Sequence, residues 1–452
     1  MNERLTRRQF LEKSSLGTLG LALTAGGLAA CAGQAGNPDQ LALAGGTPVR
    51  TRPWPDWPVW KPGTDEARVV NVLRSGVWSR AQTVTEFERQ WADTVGARRC
   101  LATTNGTHAL IVALAMLGIG AGDEVITTPY TFIATIDAII QNNAMPVFAD
   151  VDPETFQIDP ARIEEKITPR TKAILPVHIL GLPADMERIM AIAQKHDLIV
   201  VEDACQAWLA EINRKKVGTF GHAGCFSFQN SKHLPIGEGG AIVSNDDAFM
   251  DRAVSYHNFG RPYGSVGQDA HGQYVMVGTK CRMTEYQAAI GLAQLKRLEA
   301  QTEKRNRNAE YLRSLLKEIP GILPHRLYDN TTRAAYHLFP FRYQPEEFQG
   351  LSRADFLKVL RAEGIPCSGG YTPLNTMPYL QDMLNSRVFQ KVYPREMLDF
   401  DRYVEANRCP ANDQLTREAV WFSQKMLLAE KRDMDDIAEA IRKVRDNAGN
   451  TA

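Results

Sequence analysis

The sequence predicts an α/β protein: a large domain on a mostly parallel sheet covered by helices, followed by a smaller C-terminal α+β domain. From Cys100 onward, short runs that are apolar throughout alternate with amphipathic helical stretches, the pattern of strands buried on both faces. The 452 residues are too many for one small core and divide most naturally in two. Phe226-Ser227-Phe228-Gln229-Asn230-Ser231-Lys232 leads through Gly237-Glu238-Gly239-Gly240 into Ala241-Ile242-Val243. A lysine is thus held between an aromatic strand and a glycine turn.

Residues 1–31 are expected to lie outside the fold. Thr6-Arg7-Arg8-Gln9-Phe10-Leu11 carries paired arginines, and the Gly/Ala/Leu stretch 16–30 is too short and glycine-rich to span a bilayer stably. Together they resemble a twin-arginine export signal. Leu28-Ala29-Ala30-Cys31 resembles a lipobox, with Cys31 as a lipid-carrying N-terminus after cleavage; a frayed cytoplasmic tail is the alternative. Residues 32–52, small-residue-rich as far as Gly46, are expected as a linker.

The large domain is placed at 53–305. Proline alternates with Trp54, Trp57 and Trp60 over 53–60, which excludes a helix interior and predicts an extended arm on apolar surface. Helical spacing follows at 65–73 and 84–95. Strands are expected at 125–128, 146–149, 173–177 and 198–201, with helices at 109–117, 132–142 and 183–196. A long amphipathic helix over 284–310 joins this domain to a small one at 306–452. There the pattern reads strand (336–343), helix (352–363), loop (366–375) and a last helix (433–447).

Composition limits the function. At 44% hydrophobic and 23% charged the chain is an ordinary globular protein, and 52 basic residues against 52 acidic ones leave no excess to hold nucleic acid. Seven cysteines form no CxxC pair and nine histidines no HExxH, so no metal site is expected.

Four features converge on a phosphorylated cofactor that forms a Schiff base. Thr103-Thr104-Asn105-Gly106-Thr107 precedes a helix and offers backbone N–H groups to a phosphate, although the turn also fits a plain N-cap. Glu202-Asp203-Ala204-Cys205-Gln206 ends a strand where open α/β sheets bind ligands; an aspartate there can pair with a protonated pyridine nitrogen, or cap the next segment. Lys232, with Ser227 as a phosphate donor, is the third feature. Pro129-Tyr130-Thr131-Phe132 is the fourth, its aromatics able to lie on a ring or fill the core. His178 reads as a satisfied core histidine, Tyr371 as a loop residue near substrate or packed on the large domain, and 257–278 as a mobile interface loop.

The motifs Asn105-Gly106-Thr107, Gly122-Asp123-Glu124-Val125-Ile126, Tyr130-Thr131-Phe132-Ile133-Ala134-Thr135, Glu202-Asp203-Ala204-Cys205-Gln206-Ala207, Phe226-Ser227-Phe228, Lys232 with Gly237-Glu238-Gly239-Gly240, and Arg282-Met283-Thr284-Glu285 are similar in order and spacing to the DegT/DnrJ/StrS aminotransferases. The resemblance spans about 45–444. It implies a fold-type I pyridoxal 5′-phosphate enzyme, a homodimer with active sites at the subunit interface. By position it makes Lys232 the tethering lysine, Asp203 the pyridinium partner and Gln206 the neighbour of the phenolic oxygen. Gly106, Thr107 and Ser227 would hold the phosphate, and Phe132 would stack on the ring. Where many members carry Asn in a Gly-x-Asn-x-Arg turn reaching the neighbouring subunit's phosphate, this chain has Gly278-Thr279-Lys280-Cys281-Arg282; Lys280 can serve a phosphate as a point charge.

The implied reaction moves an amino group from glutamate or glutamine to a keto-sugar or cyclitol ketone. Relatives with histidine in place of this lysine dehydrate sugars instead; Lys232 disfavours a dehydratase or lyase, and a pyridoxal-phosphate sensor without turnover is the alternative from another class. Nucleotide sugars, common acceptors among such enzymes, are made in the cytoplasm, so either the acceptor is a free sugar or cyclitol or the N-terminal segment is not an export signal.

Overall fold

The alternating apolar runs form a seven-stranded sheet in the computed structural model, which describes residues 37–269 and 272–450. The paired arginines and the 28–31 motif with Cys31 lie outside the described residues. Helices α1 (Pro62–Ser75) and α2 (Gln82–Val95) precede β1 (Arg99–Thr103). There follow α3 (Gly106–Met116), β2 (Glu124–Thr127), α4 (Ala134–Gln141), β3 (Met145–Phe148), β4 (Thr171–Ile174), α5 (Met186–Lys195) and β5 (Ile199–Asp203). The short strands β6 (Glu211–Ile212) and β7 (Lys215–Lys216) lead to β8 (Ala223–Ser227), β9 (Gly240–Ser244) and α6 (Asp247–His257).

The order across the sheet is β1-β9-β8-β5-β4-β2-β3. Strands β8, β5, β4, β2 and β3 run parallel, while β9 is antiparallel to both of its neighbours. Successive side chains on a strand point to opposite faces. Ile126, Val200, Phe226 and Val243 therefore join α2 and α5 in one core, whereas Val125, Val201, Cys225 and Ile242 join α3, α4 and α6 in another. Both faces are dry over the strand centres, which is why these strands are apolar there on successive residues, with polar groups kept to their ends.

Helix α7 (Glu285–Lys317) is 33 residues long. Leu292 and Leu298 pack against the large sheet, and Leu312 and Leu316 against a second core, so one rod ties the two cores together. After it come β10 (Ile322–Pro324), β11 (Thr331–Arg333), β12 (Leu338–Tyr343), α8 (Arg353–Ala362), β13 (Ser368–Gly369), α9 (Tyr379–Asn385), α10 (Phe389–Val392), α11 (Phe400–Ala406), α12 (Pro410–Glu418), β14 (Ala419–Ser423) and α13 (Lys431–Asp446). A second, antiparallel sheet has the order β10-β12-β14-β13, and a third joins β11 to β6 and β7. α13 lays Ile437, Ile441 and Val444 on the second core.

The stretch expected as a linker is docked from Leu41 onward. Leu41 is buried in the second core, the backbone N–H groups of Ala42 and Val49 donate to the buried Glu363 carboxylate, and Arg50 pairs with Asp433 and Asp436. Small residues do not make a free linker when their N–H groups meet a buried carboxylate. The arm at 53–60 lies against the protein as expected: Trp54 packs on the second core, and the Val59 carbonyl accepts from Gln294 and Arg297 of α7.

Candidate active site

Strands β1, β2, β4, β5 and β8 all deliver their carboxyl ends to one cavity of ≈ 480 Å³. Its lining includes Gly106 and Thr107 after β1, Phe132 and Thr135 after β2, Asp203 and Gln206 at the end of β5, and Ser227 and Lys232 after β8. Seven of the eight predicted site residues are thus brought together from segments more than a hundred residues apart. Lys280 is the exception: it is exposed, outside the cavity lining, with its amine 5.8 Å from the Phe259 ring.

The turn after β1 is both a cap and a cradle. Asn105 Oδ1 accepts from the His108 N–H (2.8 Å), starting α3 at Gly106, three residues earlier than the sequence pattern indicates. The N–H groups of the first helical turn have no intrahelical acceptor. A Cβ on Gly106 would stand 2.8 Å from both the Cys205 sulfur and the Ser227 Cβ, so only glycine lets this helix start sit against the end of β8. Gly240 plays the same part below, where a Cβ would meet the Asn105 carbonyl at 2.3 Å.

Adjacent carboxylates at the end of β5 do different work. Glu202 is fully buried, accepts from the N–H groups of Gly218, Phe220 and Gly221, and meets His178 Nε2 at 3.1 Å. His178 Nδ1 accepts from the Ala184 N–H, which leaves its proton on Nε2 for Glu202; His178 is a core histidine, as the sequence suggests. Asp203 faces the cavity: Oδ2 accepts from Thr135 Oγ1 (2.8 Å) and Oδ1 from the Cys205 N–H (3.1 Å). Gln206 is fixed from both ends, its Oε1 accepting from the Leu180 N–H and its Nε2 donating to the Tyr371 hydroxyl (2.9 Å). Tyr371 therefore keeps its own proton for a ligand.

Lys232 lies in a loop that closes on itself, with Phe228 N–H donating to Gly239, Ile236 N–H to Phe228 and Lys232 N–H to Gln229. Its amine is 5.8 Å from the Trp208 ring. Burial pulls the amine's pKa below the ordinary lysine range, against the opposing pull of Cys205 and Asp203. Phe132 stands at the rim, 57% exposed, whereas Tyr130 is buried against Phe156 and Tyr371. Thr135, His337 and Glu238 also line the cavity and carry no separate signal in the sequence. Thr135 stands one helical turn beyond Thr131, whose hydroxyl is 2.8 Å away.

Residues 62–397 match the DegT/DnrJ/EryC1/StrS aminotransferase family. The chain belongs to that family. It is 37% identical to the L-glutamine:2-deoxy-scyllo-inosose aminotransferase of Streptomyces kanamyceticus over 90% of this chain and 96% of the relative. Among solved structures, the aminotransferase from Psychrobacter cryohalolentis is similar with a TM-score of 0.77 and 33% identity, covering 88% of this chain and 100% of that one. 3-Amino-5-hydroxybenzoic acid synthase is similar with a TM-score of 0.75 and 31% identity, over 88% and 99%. This aminotransferase is of the pyridoxal 5′-phosphate-dependent kind. Its own cavity fits that group: an amine of lowered pKa, a hydrogen-bonded carboxylate, and a helix start that glycine alone allows against a serine-bearing strand end.

Proposed function

We propose that this aminotransferase moves the amino group of L-glutamine or L-glutamate to the ketone of a cyclitol or free keto-sugar. The observation that carries the reading is Lys232 and Asp203 on one cavity with the Gly106–Thr107–Ser227 cradle, in a chain whose relatives are named for glutamine and scyllo-inosose ketones. Pyridoxal phosphate supplies a carbonyl carbon that exchanges amines and a ring that withdraws electrons from it.

The chain's residues do the rest. The Gly106 and Thr107 N–H groups and the Ser227 hydroxyl would hold the phosphate at the positive end of α3. Asp203, oriented by the Thr135 hydroxyl, would pair with the ring nitrogen and favour its protonated form. Gln206 would serve the ring's phenolic oxygen, and Phe132 at the rim would stack on the ring and keep water off it. Lys232 would tether the cofactor, and its amine would carry the proton from the donor's Cα; a pKa below the ordinary lysine range suits it to take and return a proton. The two-carboxylate separation of tasks at β5 leaves Glu202 to the scaffold.

The test is a visible absorbance band that shifts when glutamine is added, with keto acid released. Lys232→Ala is expected to lose that band and to slow turnover by about a thousandfold or more. Retention of the band in Lys232→Ala sinks the assignment.

We also read the active unit as a homodimer in which Lys280 of each subunit serves the other's site. For residues 1–31 the proposal is export by the twin-arginine route with Cys31 lipidated, which suits a free cyclitol acceptor. Cell fractionation checks this: the protein is expected in the envelope, and the Arg7→Lys, Arg8→Lys variant in the cytoplasm. Cytoplasmic location of both forms removes the signal.

A further inference from the structure

Two side chains on the cavity wall keep hydrogen-bonding capacity that the chain itself does not use. Gln229 is half-buried and Ser231 exposed; both line the cavity, on the loop that carries Lys232. Gln229 Oε1 accepts from the backbone N–H and from the hydroxyl of Ser231, each at 2.7 Å. Two donors on that oxygen settle which way the amide points, and its Nε2 hydrogens have no acceptor among the described residues. The Ser231 hydroxyl gives its proton to Gln229 and keeps its oxygen lone pairs for another donor.

The pair is tied to the residues of the cavity on either side. The Gln229 N–H lies 3.4 Å from the Ser227 hydroxyl oxygen, and the Lys232 N–H donates to the Gln229 carbonyl at 2.9 Å. Between them the Asn230 carbonyl accepts from the Trp57 indole N–H at 3.2 Å, which pins the loop to the 53–60 arm. Gln206, by contrast, has its amide held from both ends, by the Leu180 N–H and the Tyr371 hydroxyl. A free amide donor and a free hydroxyl acceptor therefore stand together on the loop of the reactive amine, and neither is charged. A hydroxyl group both donates and accepts, so this is the pairing that a neutral polyol satisfies.

We propose that Gln229 and Ser231 form a specificity site for the hydroxyl groups that flank the ketone of the amino acceptor, Gln229 donating and Ser231 accepting. This rests on the aminotransferase reading above. The two substrates occupy the cavity in turn, and the acceptor differs from the amino-acid donor in carrying hydroxyls on the carbons beside the one that reacts. Glutamine's neutral amide is several bonds from its reacting carbon, so an uncharged pair on the loop of Lys232 is matched to the acceptor.

The probe is scyllo-inositol, a neutral cyclitol without a ketone, titrated by calorimetry into the cofactor-loaded enzyme, with cyclohexanol as the control that lacks neighbouring hydroxyls. Gln229→Glu keeps the oxygen that closes the turn with Ser231 and loses the amide donors, Gln229→Met loses both, and Ser231→Ala loses the hydroxyl acceptor. Scyllo-inositol affinity is expected to fall roughly 3- to 10-fold in each, the range for one neutral hydrogen bond, with cyclohexanol unaffected. The kcat/KM for 2-deoxy-scyllo-inosose should fall in step, while the half-reaction with glutamine, followed by absorbance, moves far less. Loss in Gln229→Met with Gln229→Glu at the wild-type level means that the pair only shapes the loop, and overturns the proposal. Affinities within twofold of wild type in all three variants, or no scyllo-inositol binding by wild type, also overturn it. A raised glutamine KM with cyclitol binding unchanged assigns the pair to the donor and overturns it too. If wild-type protein transaminates no ketone, the functional reading fails, and Gln229-dependent scyllo-inositol binding still upholds the hydroxyl site.

Discussion

Lys232 shows how one side chain's surroundings set both chemistry and stability. An ordinary lysine titrates at 10.5, and burial lowers this one in the folded chain. The unfolded chain therefore binds more protons over the window between the lowered folded value and 10.5, and stability rises with pH across it. Below that window the full penalty of desolvating a charged amine is present. Replacing Lys232 by Met, similar in length and without charge, removes the penalty. Urea unfolding of cofactor-free protein should place the Lys232→Met midpoint above wild type at pH 7, with the gap closing as pH approaches 10.5; coincident curves at both ends would refute the buried-amine argument. Glu202 is the contrasting residue, buried too but saturated by three backbone N–H groups and His178, so its charge is compensated where it stands.

At the scale of elements, legibility followed whether a signal was local. The runs that became β2, β3, β4 and β5 could be read because each is short and has an apolar centre. The strand-lysine-glycine stretch could be read for the same reason, and with it seven residues of the cavity. β14, in the middle of the second sheet between β12 and β13, could not: α12 ends at Glu418 and the strand begins at Ala419, with no glycine or proline to mark the change. The docking of 41–50 was hidden because its partners, Glu363 and Asp433, lie more than three hundred residues away. The burial of Arg305, on α7, was hidden for a related reason. An arginine on a long, charge-rich helix reads as solvated, and only the packing of Trp57 and Gln424 around it reveals a buried cation. Gly106 begins the helix as well as lining the cavity, since Asn105 is its cap as well as part of the turn.

On the scale of the whole molecule, the described residues between α6 and α7 form a loop that leaves several large apolar side chains uncovered by the chain itself. It exposes Phe259, Tyr263, Tyr274 and Val277, the last 92% accessible, and it carries Lys280 outside the chain's own cavity. Apolar side chains displayed together on one loop are the ordinary mark of a surface that another protein covers. A second copy is the covering partner in the homodimer proposed above, and the same docking would take Lys280 to a phosphate across the interface. Two variants separate docking from charge. Tyr274→Glu with Val277→Glu puts carboxylates where the partner packs, and sedimentation velocity should show monomer with turnover reduced at least tenfold. Lys280→Ala leaves the apolar side chains in place and should remain dimeric while holding pyridoxal phosphate more weakly, by about 1 kcal/mol or roughly fivefold for a partly screened ion contact. A dimeric double-Glu variant with full turnover would place the interface elsewhere, and unchanged cofactor affinity in Lys280→Ala would show that the point charge does not reach the neighbouring site.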